Sequence, residues 1–461
     1  MAKMWDVTTY PLWHGAASMS YILSAAGPAE VLVRGEGSWV VDHAGRRFLD
    51  ARAGVANMML GYSRHDIVEA ITRQASELPF VCTLRYERPA QVTVDYAQAL
   101  VNAAPEALTR VRFTHTGSSA VEAALLMARR YHRNLGNPDK TVIVSLQGTY
   151  HGSTFLTMAA GGLQSLHDAF GPMPAGFHHV PPPQPETCLT CQGQNVGGAT
   201  CVDPMMAELA TIGVDRVAAI VIEPVRGGSG ISLPAHYLRT LRMFCEQNDI
   251  ILIFDEILSG FGRMGPMFAA EISGIIPDIM CLSKGITSGY AALGAVLCND
   301  RVYEAFDGTD RLPFTHGSST DAHPISCAAG LAVLNIYQTE NILKQGLRMG
   351  TRLCSGLVDG LAGVSYINAI RQLGGFVAVD LLNAEGYPAS MITLKHLQAQ
   401  CERRNVLVDY THNLMMVMPP LTATEEDVDM VATTISEVIA QFREDNIEIS
   451  SLRPPNVSGR R

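Results

Sequence analysis

Residues 250–256 read IILIFDE and residues 278–290 read DIMCLSKGITSGY. In each an apolar run ends abruptly in charge: Asp255 and Glu256 in the first, Lys284 in the second, where a Gly/Ser/Thr turn follows. Short apolar runs bounded by turn residues read as fully buried strands of a parallel sheet. A carboxylate that finishes such a strand is partly desolvated and needs a partner. Lys284 lies 29 residues beyond Asp255. On adjacent parallel strands the two side chains emerge together at the carboxyl edge, where open α/β sheets bind ligands.

The same pattern extends outward. From about residue 110, β-branched runs (VRFTH, TVIVSL, AAIVIEPV, LGAVLC) alternate with helix-like stretches such as SAVEAALLMARRYHRN and PAHYLRTLRMFCEQN. That alternation predicts an α/β fold with a mostly parallel sheet between helices. Before it, VLVRG and SWVVD flank turn residues and predict a hairpin or meander. SCAAGLAVLNIYQ reads as a long connecting helix, after which further strands and helices predict a smaller α+β domain. The expected division is an N-terminal segment, 1–65, serving the small domain and the site's mouth; a large domain, 66–320; and a C-terminal small domain, 321–461, with a loose tail. The stretch PMPAGFHHVPPPQPETCLTCQGQNVGGATC reads as one long irregular segment.

Three further motifs sit where chemistry would be placed. In THTGSSAVEAALLMARR a Gly-Ser-Ser turn opens an amphipathic helix. Its free backbone N–H groups and the hydroxyls of Ser118 and Ser119 suit a phosphate; serine N-capping is the plainer reading. QGTYHGST puts Tyr150 and His151 at a strand's carboxyl end, where an aromatic can stack on a flat heterocycle. GFGRMG matches a dinucleotide fingerprint, which would imply a nicotinamide-dependent dehydrogenase. However, DEILS separates it from its strand and a proline follows it. An amine, a nearby carboxylate and a phosphate cradle together meet the needs of an aldehyde cofactor with a pyridine ring.

Composition narrows the field. The 461 residues are 47% hydrophobic and 17% charged, with a net charge of −10. No long apolar run suggests a membrane span, and no basic tract beyond the terminal GRR suggests nucleic acid. Ten cysteines in so long a chain, with no export signal at its start, fit a reducing cytoplasm. Cys188, Cys191 and Cys201 cluster, and His178 or His179 could complete a tetrahedral zinc set. An ordinary cysteine-bearing loop is the preferred reading, and no metal is expected.

Taken in order, TGSSAVEAA, TYHGST, IEPVRGGSG, IFDEILSGFGRMG, LSKGITSGYAALGAV and THGSSTDAHPISCAAGLAVL resemble the motifs of the class III aminotransferases. These are pyridoxal 5'-phosphate (PLP) enzymes of fold type I, and the likeness covers about nine-tenths of the chain. The resemblance implies that Lys284 forms the Schiff base and then moves the proton of the 1,3 shift, while Asp255 pairs with the pyridinium nitrogen. It implies phosphate binding by Gly117 and Ser118, ring contacts from Tyr150 and Ile257, and Glu223 on the substrate side. A hydroxyl at Ser319, with Thr320 beside it, would reach the phosphate across a homodimer with composite sites. The implied reaction moves an amino group between a primary amine or ω-amino acid and a 2-oxo acid. Racemisation, amino-group migration and decarboxylation use the same cofactor.

The sequence departs from the family pattern in three places. Leu258 stands where glutamine is frequent near the cofactor's phenolic oxygen, and Ser119 replaces an acidic residue. Met416 stands where a carboxylate-gripping arginine is common, and plain core packing is its expected role beside Met415 and Met418.

Overall fold

The computed structural model describes residues 11–15, 31–84, 88–184, 201–411 and 414–442. Strands Leu32–Glu36 (β1), Trp39–Asp42 (β2) and Arg47–Asp50 (β3) form the antiparallel meander expected from their turn residues. Leu108–Thr114 (β4), Val142–Leu146 (β5), Phe177–Val180 (β6) and Val217–Ile222 (β7) follow. After a small hairpin of Val225–Arg226 (β8) and Ile231–Ser232 (β9) come Ile251–Asp255 (β10), Ile279–Leu282 (β11) and Gly294–Asn299 (β12). The seven-stranded central sheet has the order β4-β12-β11-β10-β7-β5-β6.

Every residue of β5, β7, β10 and β11 is buried, which is why these strands read as unbroken apolar runs. Their side chains alternate between two cores. Ile251 and Ile253 pack with Ala120, Ala124 and Leu125 of the helix Gly117–Asn134, whereas Leu252 and Phe254 pack with Leu238 and Leu241 of the helix Ala235–Gln247. β10 pairs in parallel with both β7 and β11, and Asp255 lies opposite Cys281. β12 runs antiparallel to both β11 and β4, an inversion that its apolar run does not reveal.

The remaining strands are Ile367–Leu373 (β13), Phe376–Leu381 (β14), Val406–Leu407 (β15), Asp409–Thr411 (β16) and Leu414–Val417 (β17). β13-β14-β17-β16 form one antiparallel sheet, while β15 joins the N-terminal meander beside β3. Leu49 and Ala51 therefore share a core with Leu353, Val379 and Val431 from the C-terminal third. The connecting helix spans Pro324–Thr339.

Ala53–Ala56 make a left-handed turn in which all four residues have positive φ. The Asp50 carboxylate accepts from the Gly54 N–H at 2.7 Å and from the Tyr62 hydroxyl at 2.6 Å, anchoring a conformation that L-residues adopt at a cost.

Several readings need correction. The segment read as wholly irregular contains β6, whose FHHV pairs in parallel with β5. His178 faces Glu208, His179 contacts the Ala159 carbonyl, and Cys201 Sγ lies 3.3 Å from His236 Nε2. Cys188, Cys191 and the expected loose tail lie outside the described residues. GFGRMG opens no nucleotide-binding helix. It forms turns that bury Arg263 completely, with its guanidinium donating to the carbonyls of Gly375 and Pro419. Among the described residues, no helix is long and apolar enough to cross a membrane.

Gly350, in the helix Ile342–Gly360, lies so close to the turn between β13 and β14 that an added Cβ would sit 1.8 Å from the Gly374 carbonyl oxygen. Gly350→Ala is expected to lower unfolding free energy by about 1–3 kcal/mol in urea titrations. An unchanged midpoint would contradict this packing.

Candidate active site

One cavity of about 480 Å³ collects residues from both ends of the chain and from the central sheet. Asp255 and Lys284 both face it, as expected of adjacent parallel strand tips. Gly117, Ser118, Tyr150, His151, Glu223 and Ile257 also line it. Ser319 and Thr320 do not: both are exposed, and Thr320 lies beside Ser318.

Asp255 continues the Ile251/Ile253 series and is the last residue of β10. Its Oδ2 lies 2.8 Å from His151 Nδ1, and its Oδ1 accepts from the Ile257 N–H at 3.1 Å. Burial disfavours a charged His151 ring, but the adjacent Asp255 carboxylate outweighs it and raises the histidine's affinity for a proton. With its proton on Nδ1, His151 fixes the carboxylate's orientation. Its Nε2 is buried and has no partner among the described residues.

Lys284 follows Cys281, the register partner of Asp255, by three residues and opens a turn of 3-10 helix. Its φ of +48° lies in the left-handed region, which for a non-glycine residue costs on the order of 1–3 kcal/mol. Bonds on either side maintain it: Ser283 Oγ donates to the Leu293 carbonyl at 2.8 Å, and Thr287 Oγ1 to the Ala291 carbonyl at 2.6 Å. Burial pushes the Lys284 amine below its ordinary value; Asp255, Glu223 and Asp409 resist that shift and Arg263 reinforces it.

Glu223 follows β7 and accepts from the Gly227 N–H at 3.0 Å. Burial raises its carboxyl to about 7, Asp255 adds to the shift, and His151 and Arg226 oppose it. Glu256 also titrates near 7 through burial but points elsewhere, accepting from the N–H groups of Ala269 and Ala270 and from Ser259. Of the paired acids that end β10, only Asp255 serves the cavity.

At the other end of the cavity, Thr116 caps the helix Gly117–Asn134. Its side chain accepts from Ser119 N, while Ser119 Oγ accepts from Thr116 N at 2.9 Å. This capping box occupies the Ser119 hydroxyl, so the expected contribution of Ser119 to an anion site is withdrawn. The N–H groups of Gly117 and Ser118 remain without intrahelical acceptors, as the first turn of any helix requires. Ser118 Oγ accepts from Ser153 N at 3.1 Å, joining this turn to the one that carries Tyr150. A Cβ on Gly117 would lie 2.9 Å from Ile257 Cδ1, so a larger residue there would displace that side chain.

Met416 exceeds its expected packing role. It packs with Leu414, Met418 and Leu258, and together with Leu258 it also forms cavity wall. Asn57, which follows the left-handed turn, and Thr411 line the cavity too. No motif marked either residue, because only the tertiary fold brings them to the central sheet.

A sequence model described as aminotransferase class-III matches residues 24–439. The chain belongs to this family. It is 32% identical over 415 residues to an omega-aminotransferase of Caulobacter vibrioides, covering 89% of this chain and 93% of that protein. It is 34% identical to an adenosylmethionine-8-amino-7-oxononanoate aminotransferase of Geobacter sulfurreducens, with 89% and 91% covered. The crystal structure of a PLP-bound amine transaminase from an uncultivated Pseudomonas species superposes with a TM-score of 0.84 at 31% identity, covering 94% of this chain and 98% of that one. Class III aminotransferases depend on PLP, and the residues present fit that cofactor. The cavity offers a buried carboxylate, an amine biased towards neutrality and a helix N-terminus with donors to spare.

Glu223 binds its proton more tightly in the folded chain than in the unfolded one, so between the ordinary carboxyl range and about pH 7 the folded state carries the extra proton. Its contribution to stability is therefore present at low pH and lost as pH rises. Relative to Glu223→Gln, the wild-type chain should lose unfolding free energy between about pH 5 and about pH 7 in urea titrations. A gain over that interval would contradict the assignment.

Proposed function

We propose that this aminotransferase moves an amino group from a primary amine or ω-amino acid to a 2-oxo acid, with Lys284 and Asp255 as its catalytic residues. The observation that carries this reading is their placement on neighbouring strand tips facing one cavity. When bound, PLP supplies an electron sink for the charge that develops at the substrate's amine-bearing carbon. Lys284 is the residue that would hold the cofactor covalently. An amine kept below its ordinary proton affinity can act as a nucleophile and then take the proton from that carbon at Nζ. Asp255, oriented by His151 and the Ile257 N–H, supplies the countercharge for a protonated ring nitrogen. Gly117 and Ser118 would receive the phosphate, and Tyr150 and Ile257 the two faces of the ring. Leu258 and Met416 give the wall an apolar surface suited to a donor whose reactive end alone is polar.

The relatives support amino transfer over racemisation, migration or decarboxylation: they include proteins named beta-alanine–pyruvate and omega-amino acid–pyruvate aminotransferase. Because Ser319 and Thr320 stand exposed outside the cavity, we propose a homodimer in which they complete the neighbouring site. The buried thiols of Cys245, Cys281, Cys298, Cys327 and Cys401 support a reducing, cytoplasmic setting.

Lys284→Ala should abolish turnover, and peptide mapping after borohydride reduction should find the pyridoxyl label on Lys284 of the wild type. A label on another lysine would overturn the assignment. Asp255→Asn should lower kcat/KM on the order of a hundred- to a thousandfold while cofactor is retained. In a single turnover with the amine alone, one equivalent of carbonyl product per site is expected; carbon dioxide or racemised amine would point to the alternative chemistries. Mixing Lys284→Ala with a Ser319→Ala/Thr320→Ala double variant should restore part of the activity by forming one intact site per mixed dimer. No recovery after verified subunit exchange would refute the composite site.

A further inference from the structure

A second cavity, of about 350 Å³, lies between the helix Gly117–Asn134 and the segment 313–316, and it shares no lining residue with the first. Arg129, Arg130 and Arg133 line it from the helix, and Phe314 and His316 from the opposite side. Arg133 lies three residues from Arg130 and four from Arg129, spacings that set like charges side by side on the helix, an arrangement that a counter-ion relieves. Arg64, Arg301 and Arg352, by contrast, pair with Glu340, Asp249 and Asp429. Among the described residues, no carboxylate is within ion-pairing distance of Arg129, Arg130 or Arg133.

Complementing the last helical carbonyls is a sufficient role for Arg133. It does not account for Arg129 and Arg130, nor for Arg130 Nε and His316 Nδ1, buried atoms of lining residues with no hydrogen-bond partner among the described residues. The wall opposite the helix is also held in place. Arg112 donates to the His316 carbonyl and stacks 5.3 Å from the centre of the Phe314 ring. A fixed wall and three guanidiniums with no carboxylate partner among the described residues define a cavity short of negative charge.

We propose that this cavity binds a compact multivalent oxyanion, of the phosphate or the polycarboxylate type. Guanidinium forks match the paired oxygens of both groups. Bound there, the anion links the helix to the segment that leads to Ser319 and Thr320, so occupancy should stiffen that segment.

The test uses holoenzyme whose cofactor has been fixed by borohydride, so that added phosphate cannot enter the first cavity. Inorganic phosphate and citrate are titrated separately by calorimetry at constant ionic strength set with chloride. At least one should give a saturable heat of one site per chain, and which one does so identifies the oxyanion type. Arg130→Gln/Arg133→Gln should weaken that binding by about tenfold or more, while the unreduced variant keeps its transamination rate, which shows that it is folded. No saturable heat with either anion, or equal affinity in the variant, would overturn the proposal. So would a variant that dissociates into single chains yet binds the anion as the wild type does, since the arginines would then serve subunit contact.

Discussion

The hydrogen bond between His151 and Asp255 is the constraint on which the site depends. Asp255 ends an entirely buried strand, where an unaccompanied carboxylate would be driven towards its neutral form. His151 and the Ile257 N–H fix the direction of this one. The carboxyl group is thus oriented and shielded from bulk water before any ligand arrives, which makes electrostatic stabilisation effective. At Lys284, burial disfavours the charge more than the surrounding carboxylates favour it. One site therefore holds an oriented, hydrogen-bonded carboxyl group beside an amine inclined to be neutral.

The fold exists around that pairing in a literal sense. Parallel register between β10 and β11 sets Asp255 opposite Cys281 and delivers Lys284 one turn later. The left-handed backbone at Lys284 is tolerated because hydrogen bonds to Leu293 and Ala291 brace both sides of it. The capping box between Thr116 and Ser119 closes the helix on its own side chains and leaves the Gly117 and Ser118 N–H groups for a ligand. Glu223, raised to about 7, is the cavity group whose protonation modest changes in its surroundings would alter near neutrality.

Much of this was legible in the sequence because burial on both faces leaves a plain mark: a short apolar run such as VAAIVI, bounded by turn residues and rich in β-branched side chains, reads as an interior strand. Charge at the end of such a run located Asp255 and Lys284. Strand direction was not legible, because an apolar run reads alike whichever way it points, and the antiparallel β12 went unseen. Nor was the short β6 separable from its proline-rich surroundings. Asn57 and Thr411 were missed for a different reason: neither has a local pattern, and each reaches the cavity only through the tertiary packing of segments far from the central sheet in sequence. The double role of Met416, packed in a strand and exposed to the cavity, belongs to the same class.

The balance at Lys284 is open to direct observation. Nuclear magnetic resonance of protein labelled with carbon-13 at the lysine ε-carbon, with Lys284 assigned by its absence in Lys284→Ala, would follow its titration in the cofactor-free chain. The account predicts that this signal titrates below the other lysines, and moves lower still in Asp255→Asn. Titration together with the surface lysines, or no response to that substitution, would contradict it.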